Sequence, residues 1–408
     1  MRTLGTIGKW LVYGTIAVSL AACGGGGGSS AVTTTNNGNP NGNTGNTGDT
    51  NNTQTITVPL KTAKIACGSD HSLIVGSNGV VKALGRNDYG QLGDGSTINR
   101  GTPIQVSGLT NVAAVAGGEN HSLALKSDGT VWGWGSNYNG QLGDGTNTNH
   151  STPVQVGISN VSAISASWHQ SVALKSDGTV WLWGLGYGST PAKMGNLTNV
   201  VAIATGAYFV LALKNDGTVW AWGDNGAGQL GNGTYTNSTL PVKVDSLTNV
   251  IAIAACEDAS YAIKSDGTAW AWGYWEMVGY PVTGGGNAKT PSQITGISGV
   301  TTIAASYSHV LALGTGGAIG SFWSWGQANN YGELGDGTFL VDRRTPVPVI
   351  GISYVTDIAA GRDHSLAVKS DGTVWGWGRA DYGQIGLNPT MTNYPTLTKT
   401  PVQILNLP

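Results

Sequence analysis

Charge is scarce in this 408-residue chain: 20 Lys and Arg stand against 22 Asp and Glu, for a net charge of -2, with no run of one sign. A nucleic-acid surface needs clustered basic residues, so this balance is poor footing for phosphate binding and no nucleic-acid partner is expected. Cysteine is nearly absent. Cys67 and Cys256 fall in non-adjacent repeats, where a disulfide, which needs Cα atoms within about 7 Å, is not expected. There is no Gly-x-Ser-x-Gly elbow, no His-Glu-x-x-His and no Cys-x-x-Cys, so the chain offers no catalytic or metal constellation. The glycine run Gly24 to Gly28 follows no strand and precedes no Gly-Lys-Ser/Thr, which leaves no phosphate cradle and no cofactor site.

What is abundant is glycine, with 65 residues, and it punctuates a repeat. Asp128 to Gly145 reads DGTVWGWGSNYNGQLGDG: an Asp-Gly turn, a β-rich run with large residues on alternate positions, then a second tight turn. The turn glycine recurs at Gly79, Gly129, Gly178, Gly217, Gly267, Gly317 and Gly372, which marks seven units of mostly about 50 residues. The second tryptophan keeps step at Trp134, Trp183, Trp222, Trp272, Trp325 and Trp377, with Leu84 in its place in the first unit. Unit two resolves into four strands: Asn111 to Ala116, His121 to Leu125, Thr130 to Trp134 and Thr152 to Val156, the last an edge strand because it carries Pro153. The predicted fold is all-β, a seven-bladed β-propeller of four-stranded antiparallel blades over residues 55–408. Either Thr55 to Leu60 (TITVPL) or Thr400 to Ile404 (TPVQI) is expected to close the ring by completing a blade that contains the other terminus.

The N-terminus is an address followed by a tether. Arg2 and Lys9 precede an apolar run, Trp10 to Leu20, too short to span a bilayer, which reads as a signal peptide over residues 1–22. Leu20-Ala21-Ala22-Cys23 resembles a bacterial lipobox, which implies cleavage before Cys23 and acylation of that residue. Residues 23–54 are almost wholly Gly, Asn, Thr and Ser, a flexible linker reaching roughly 30 Å. The expected location is the bacterial cell envelope, on a membrane through the lipid anchor only.

The HSLAL, DGTVWxWG, GQLGDG and TPVQV elements together resemble the RCC1 repeat, the unit of the regulator of chromosome condensation and its relatives. The resemblance covers Thr55 to Pro408. Unit three lacks the GQLGDG turn and is about ten residues short; unit five has Tyr274-Trp275-Glu276-Met277-Val278 instead. The family also implies guanine-nucleotide exchange as an alternative activity, although the exchange factor's added wedge lies in its third unit and unit three is the shortest here. Among exported proteins the chain resembles the RCC1-like β-lactamase inhibitors, which use aromatic loop residues around the axis.

A shared fold hosts many functions, so the informative positions are those where the units disagree. Between strands one and two, the position of Glu119 holds Ser69, Trp168, Ala207, Glu257, Tyr307 and Arg362 in the other units. The position of Asn120 holds Asp70, His169, Tyr208, Asp258, Ser308 and Asp363, and that of His121 holds His71, Gln170, Phe209, Ala259, His309 and His364. These turns are expected to open on one face, where aromatic anchors (Trp168, Tyr208, Phe209, Tyr307) and an acidic ring (Asp70, Glu119, Glu257, Asp258, Asp363) with Arg362 suit an unidentified protein or peptide partner. Asn120 and His169 complete the expected binding surface. A weaker alternative is a glycan-binding or glycan-processing site using Trp168 with Glu119 and Glu257. His71, His121, His309 and His364 are spread over half a ring and are read as strand-start residues satisfied by neighbouring backbone, and the Trp pairs as filling between blades. The chain is expected to be a monomer.

Overall fold

The computed structural model of the chain describes residues 19–22, 25–27, 64–280, 286–315, 321–327, 329–387 and 397–406. Seven four-stranded antiparallel blades surround a common axis. The second shows the plan. Val112–Gly117 lies innermost and pairs with His121–Lys126, which pairs with Val131–Gly135, which pairs with the outer strand His150–Gln155. Ala114, Val115 and Ala116 are buried, because the inner strands converge on the axis and leave room only for small side chains. The outer strand is half-exposed, and its register shifts between His150 and Val154, so Pro153 sits at an irregular edge where its missing N–H costs nothing.

The turn between strands two and three is fixed locally. Gly129 adopts φ 79°, and the Asp128 carboxylate accepts from the Thr130 N–H at 3.0 Å and the Thr130 hydroxyl at 2.6 Å. The same Asp-Thr contacts recur at Asp177, Asp216, Asp266 and Asp371, which commits these carboxylates to their own turns.

Blades are joined by tryptophan. Trp134 is fully buried against Leu73, Val75 and Val81 of the preceding blade, and its Nε1 donates to the Gln91 carbonyl at 2.8 Å. Each such ring removes on the order of 200 Å² from water, roughly 5 kcal/mol before entropy is counted. The expectation that both tryptophans of a pair fill the space between blades is met by the second of each pair, while the first, as Trp132 or Trp181, is half-buried with a lysine over its ring.

The ring closes between blade seven and blade one. Leu397–Asn406 completes blade seven beside Thr373–Arg379, and blade one has its own four strands from Ile65–Cys67 to Arg100–Gln105. The expectation that one blade would combine both termini is therefore corrected for the described residues. Closure instead runs through packing of Ile65, Cys67, Ile74 and Leu84 on Ala359, Leu366, Val368 and Val374. Two short strands, Ser19–Ala22 and Gly25–Gly27, pair with each other and with the inner strands of blades six and two. Cys23, nearly all of the 24–54 linker and Thr55 to Leu60 lie outside the described residues. Cys67 and Cys256 are both buried, and the Cys256 thiol lies 3.8 Å from the Tyr261 hydroxyl.

Candidate functional site

The turns between strands one and two do open together. Their backbones bond from blade to blade: Arg362 N–H to the Ser69 carbonyl at 3.2 Å, Ser69 N–H to Glu119 at 3.4 Å and Glu119 N–H to Trp168 at 2.9 Å. The Ser308 hydroxyl donates to the Arg362 carbonyl at 2.6 Å, which brings blade six into the same arc. Blades four and five form a second arc through Ala207 N–H to Glu257 at 3.1 Å, and the Trp168 and Tyr208 rings, 5.4 Å apart, bridge the two arcs. The unlike tips thus share one mouth. Its centre, lined by Gly68, Gly118, Ser167, Ser306 and their neighbours, has only about 30 Å³ of free space, enough for about one water. A ligand here meets a rim and not a pocket.

Individual side chains divide into presenters and supports. Tyr208 and Tyr307 are exposed, Arg362 is exposed with its guanidinium 5.1 Å over the Tyr307 ring, and Glu119, Asn120, Trp168, His169, Glu257, Asp258 and Asp363 are half-buried. Trp168 has φ 40°, an uncommon conformation for a bulky residue, and it occupies the two-residue turn between Ser167 and Gln170. His169 Nε2 lies 3.2 Å from Glu119 Oε2.

Two expected contact residues are corrected. Phe209 is fully buried: it takes the position of the strand-start histidines, and its ring lies so close over Gly206 that any Cβ there would collide with it. Asp70 is only 5% exposed and is held by Arg86 at 3.4 Å, with Arg379 at 4.0 Å.

The histidines are also corrected in their partners. His71, His121, His309 and His364 are buried, and each Nε2 meets a serine hydroxyl of the next blade: Ser122 at 2.9 Å, Ser171 at 3.0 Å, Ser365 at 2.7 Å and Ser72 at 3.0 Å. Each of these serines donates its own proton to a loop carbonyl of the blade before it. The imidazole must therefore donate from Nε2, which fixes the neutral tautomer. Burial pushes all four down to about 3. Gly68, Gly118 and Gly361 lie beneath three of the rings, where a Cβ would stand within about 2 Å of Cε1.

The rim is unevenly charged. Burial, reinforced by Asp258 and opposed by Arg362, pushes the Glu257 carboxyl up to about 7. Asp258 is raised by burial and then by Asp224. Asp363 is raised by burial despite Arg379 and Arg362. Sequence reasoning missed part of this surface. The loops between strands three and four lie beside the first turns, because Arg86 N–H bonds the Asp70 carbonyl, Asp224 N–H that of Tyr208 and Arg379 N–H that of Asp363. They add Arg86 and Arg379, the latter stacked 4.9 Å over Tyr331 and 5.5 Å over Tyr382. The signal was available: the residue after the glycine ending strand three is as variable between units as the first turn.

Comparison with known proteins matches two descriptions of one repeat, each given as Regulator of chromosome condensation (RCC1) repeat, over residues 78–125, 128–174, 216–263, 320–368 and 371–408 and over 63–91, 112–141, 200–229 and 355–384. The chain is 35% identical over 118 residues to human "Probable E3 ubiquitin-protein ligase HERC4", which is 28% of this chain and 11% of that protein. It is 30% identical over 102 residues to the ultraviolet-B receptor UVR8 of Arabidopsis thaliana, 24% of this chain and 22% of that one. The chain therefore spans a small part of these curated relatives. Among solved structures, Prp20p of Saccharomyces cerevisiae superposes with a TM-score of 0.70 at 24% identity, covering 85% of this chain and 87% of that one. Human WBSCR16 gives 0.69 at 22% identity, covering 80% and 94%. With seven four-stranded blades and matched repeats over more than half its length, the chain belongs to the RCC1-repeat family.

Proposed function

We propose that this chain is a lipid-anchored protein of the bacterial cell envelope that binds another protein or a peptide as a monomer, through the rim of turns around the axis. The observation that carries the reading is the pair of bonded arcs of unlike tips, bridged by the Trp168 and Tyr208 rings, with Tyr307 at their edge. Aromatic and arginine side chains on a rigid frame lose little conformational entropy on docking and dominate protein interfaces. The closed centre disfavours a small ligand there. Protein binding also fits the family: Prp20p was characterised for its binding to Gsp1p and histones, and yeast RCC1 (Prp20) was solved bound to Kap60. Anchoring rests on the signal-like residues 1–22 and Cys23, and it requires that Ser19–Ala22, which pair with the inner strand of blade six, leave the propeller on cleavage.

The test is crosslinking in intact cells with the native chain and with Trp168, Tyr208 and Tyr307 all replaced by alanine. Loss of a specific crosslinked protein in the triple variant, at unchanged abundance, is the expected result. A full set of crosslinks in the variant defeats the reading. Cys23→Ala should release the chain from the membrane fraction; continued co-sedimentation with membrane would rule out acylation at that residue.

A further inference from the structure

Blade three lacks the Gly-Gln-Leu turn that five other blades carry between strands three and four, counting Gly-Glu-Leu and Gly-Gln-Ile as equivalents. Elsewhere that turn has two jobs. Its leucine or isoleucine, such as Leu92, Leu142 or Leu230, is buried, and the carbonyl of its Gln or Glu accepts the indole N–H of the next blade's tryptophan. In blade three the apolar job is done from within. Leu182 stands between Trp181 and Trp183 where blade two has Gly133, and a Cβ on Gly133 would meet Leu142 Cδ2 at 3.4 Å. Val210 likewise replaces the serine that would have sought the missing carbonyl. The polar job is left open. Trp222 Nε1 finds no acceptor at hydrogen-bond geometry, although the Tyr187 phenol interacts with the indole and packs into the same cluster.

Above this filled slot lies a cleft of about 460 Å³ between blades three and four, within the ~300–1,000 Å³ range of small-molecule sites. Gln170, Tyr187, Tyr208, Asp224, Asn237 and Thr239 line it. Gln170 is only 5% exposed, yet its Oε1 has no hydrogen-bond partner. An unpaired buried acceptor is costly unless a ligand or water satisfies it. The Asn237 Oδ1 is held by the Asn225 N–H at 2.8 Å, which leaves its amide nitrogen to donate.

The lining selects the ligand class. It contains no Lys, Arg or His and one carboxylate, Asp224, so an anion is repelled. Leu182 and Val210 are buried and do not line the cleft, whose one aliphatic lining side chain is Leu185, so it offers little to a hydrophobic peptide side chain. What remains is two phenol rings beside amide, hydroxyl and carboxylate groups, a set that stacks on C–H faces and pairs with ring hydroxyls. The geometry points to a neutral oligosaccharide site in the cleft between blades three and four, bound through Gln170, Tyr187, Tyr208 and Asp224. This site adjoins the protein-binding rim and shares Tyr208 with it, so its test relies on Gln170 and Thr239, which lie outside the three rim aromatics.

The test is calorimetric titration of the full chain with maltotriose, cellotriose, chitotriose, sialyllactose and the tripeptide Gly-Gln-Leu. At least one neutral trisaccharide should bind, with affinity reduced tenfold or more by Gln170→Ala and by Thr239→Trp, which plugs the cleft from an exposed edge strand. Tyr307→Ala, across the mouth, should leave sugar binding unchanged while weakening protein crosslinking. The inference is overturned if no neutral trisaccharide binds at millimolar concentration. It is equally overturned if sialyllactose or the tripeptide binds tighter, or if Thr239→Trp keeps native affinity with an unchanged melting temperature.

Discussion

His364 Nε2 lies 3.0 Å from the Ser72 hydroxyl, and this contact joins the last blade to the first. Ser72 in turn donates to the Gln384 carbonyl at 2.7 Å. At other junctions a comparable carbonyl also receives a tryptophan, as Gln91 receives both Ser122 and Trp134. Blade one has Leu84 in the tryptophan position, so among the described residues Gln384 is served by Ser72 alone.

Ser72→Ala should therefore cost more than Ser122→Ala. Both leave a buried imidazole N–H without its acceptor, but only the first also strands a carbonyl. Urea unfolding should show Ser72→Ala losing about 1–3 kcal/mol more than Ser122→Ala. Equal losses would mean that the seam carries no special dependence on this hydroxyl.

The buried titratable groups set a pH window. The four histidines have folded values near 3 against an ordinary 6.5, so their stabilisation is present above 6.5 and is lost as pH falls toward 3. Glu257 and Glu333 run the other way, raised from 4.5 to about 7 and about 8, so their contribution is full below 4.5 and is lost as pH rises through those values. Between 4.5 and 6.5, four protons favour the unfolded chain and two the folded one, a net of at most two, or about 3 kcal/mol per pH unit. Below 4.5 the histidines act unopposed by these two groups. The urea midpoint should peak at about pH 6.5–7, fall gently toward 8 and fall steeply below 4.5; a midpoint rising steadily from about pH 7 to 8 would contradict the raised carboxyls.

Much of this was readable in the chain. The glycine marks and alternate tryptophans locate seven blades because turn and strand chemistry are local and repeat with the period. The rim tips follow from the same register. Phe209 was misplaced because position alone does not say which way a strand-start ring turns, and only the close approach of Gly206 shows it folded inward. The serine contacts were written in plain sight: Ser becomes Val at Val210 and Val310, directly after the two units without the Gly-Gln-Leu turn. Their meaning needs the distance across a blade junction, which no local pattern contains.

Leu182 gives a packing prediction. It is 1% exposed and fills the place of a missing loop leucine, so Leu182→Ala should leave a cavity and cost about 2–5 kcal/mol. The reciprocal change, Gly133→Leu, should also destabilise, since blade two keeps Leu142 and its carbonyl 3.3–3.4 Å from where the new Cβ would stand. Tolerance of Gly133→Leu would show that the two leucines do not compete for one volume.

Glu333 occupies the glutamine position of the blade-six turn and is fully buried. Its Oε2 accepts the Tyr331 N–H at 2.9 Å, as Gln91 Oε1 accepts that of Tyr89, while its Oε1 has no partner. Burial is the main cause of its raised value, with nearby Asp363 adding to it, so the protonated acid imitates the amide used in the other blades. Glu333→Gln makes that imitation permanent. It should leave stability at pH 5 nearly unchanged and raise it at pH 9, where the native carboxylate is ionised in a poorly solvated site. Because the folded value is raised, the native chain loses stability on going from pH 5 to 9, and the variant should lose less. Parallel urea midpoints for the two chains across that range would show that Glu333 ionises at its ordinary value and that burial does not govern it.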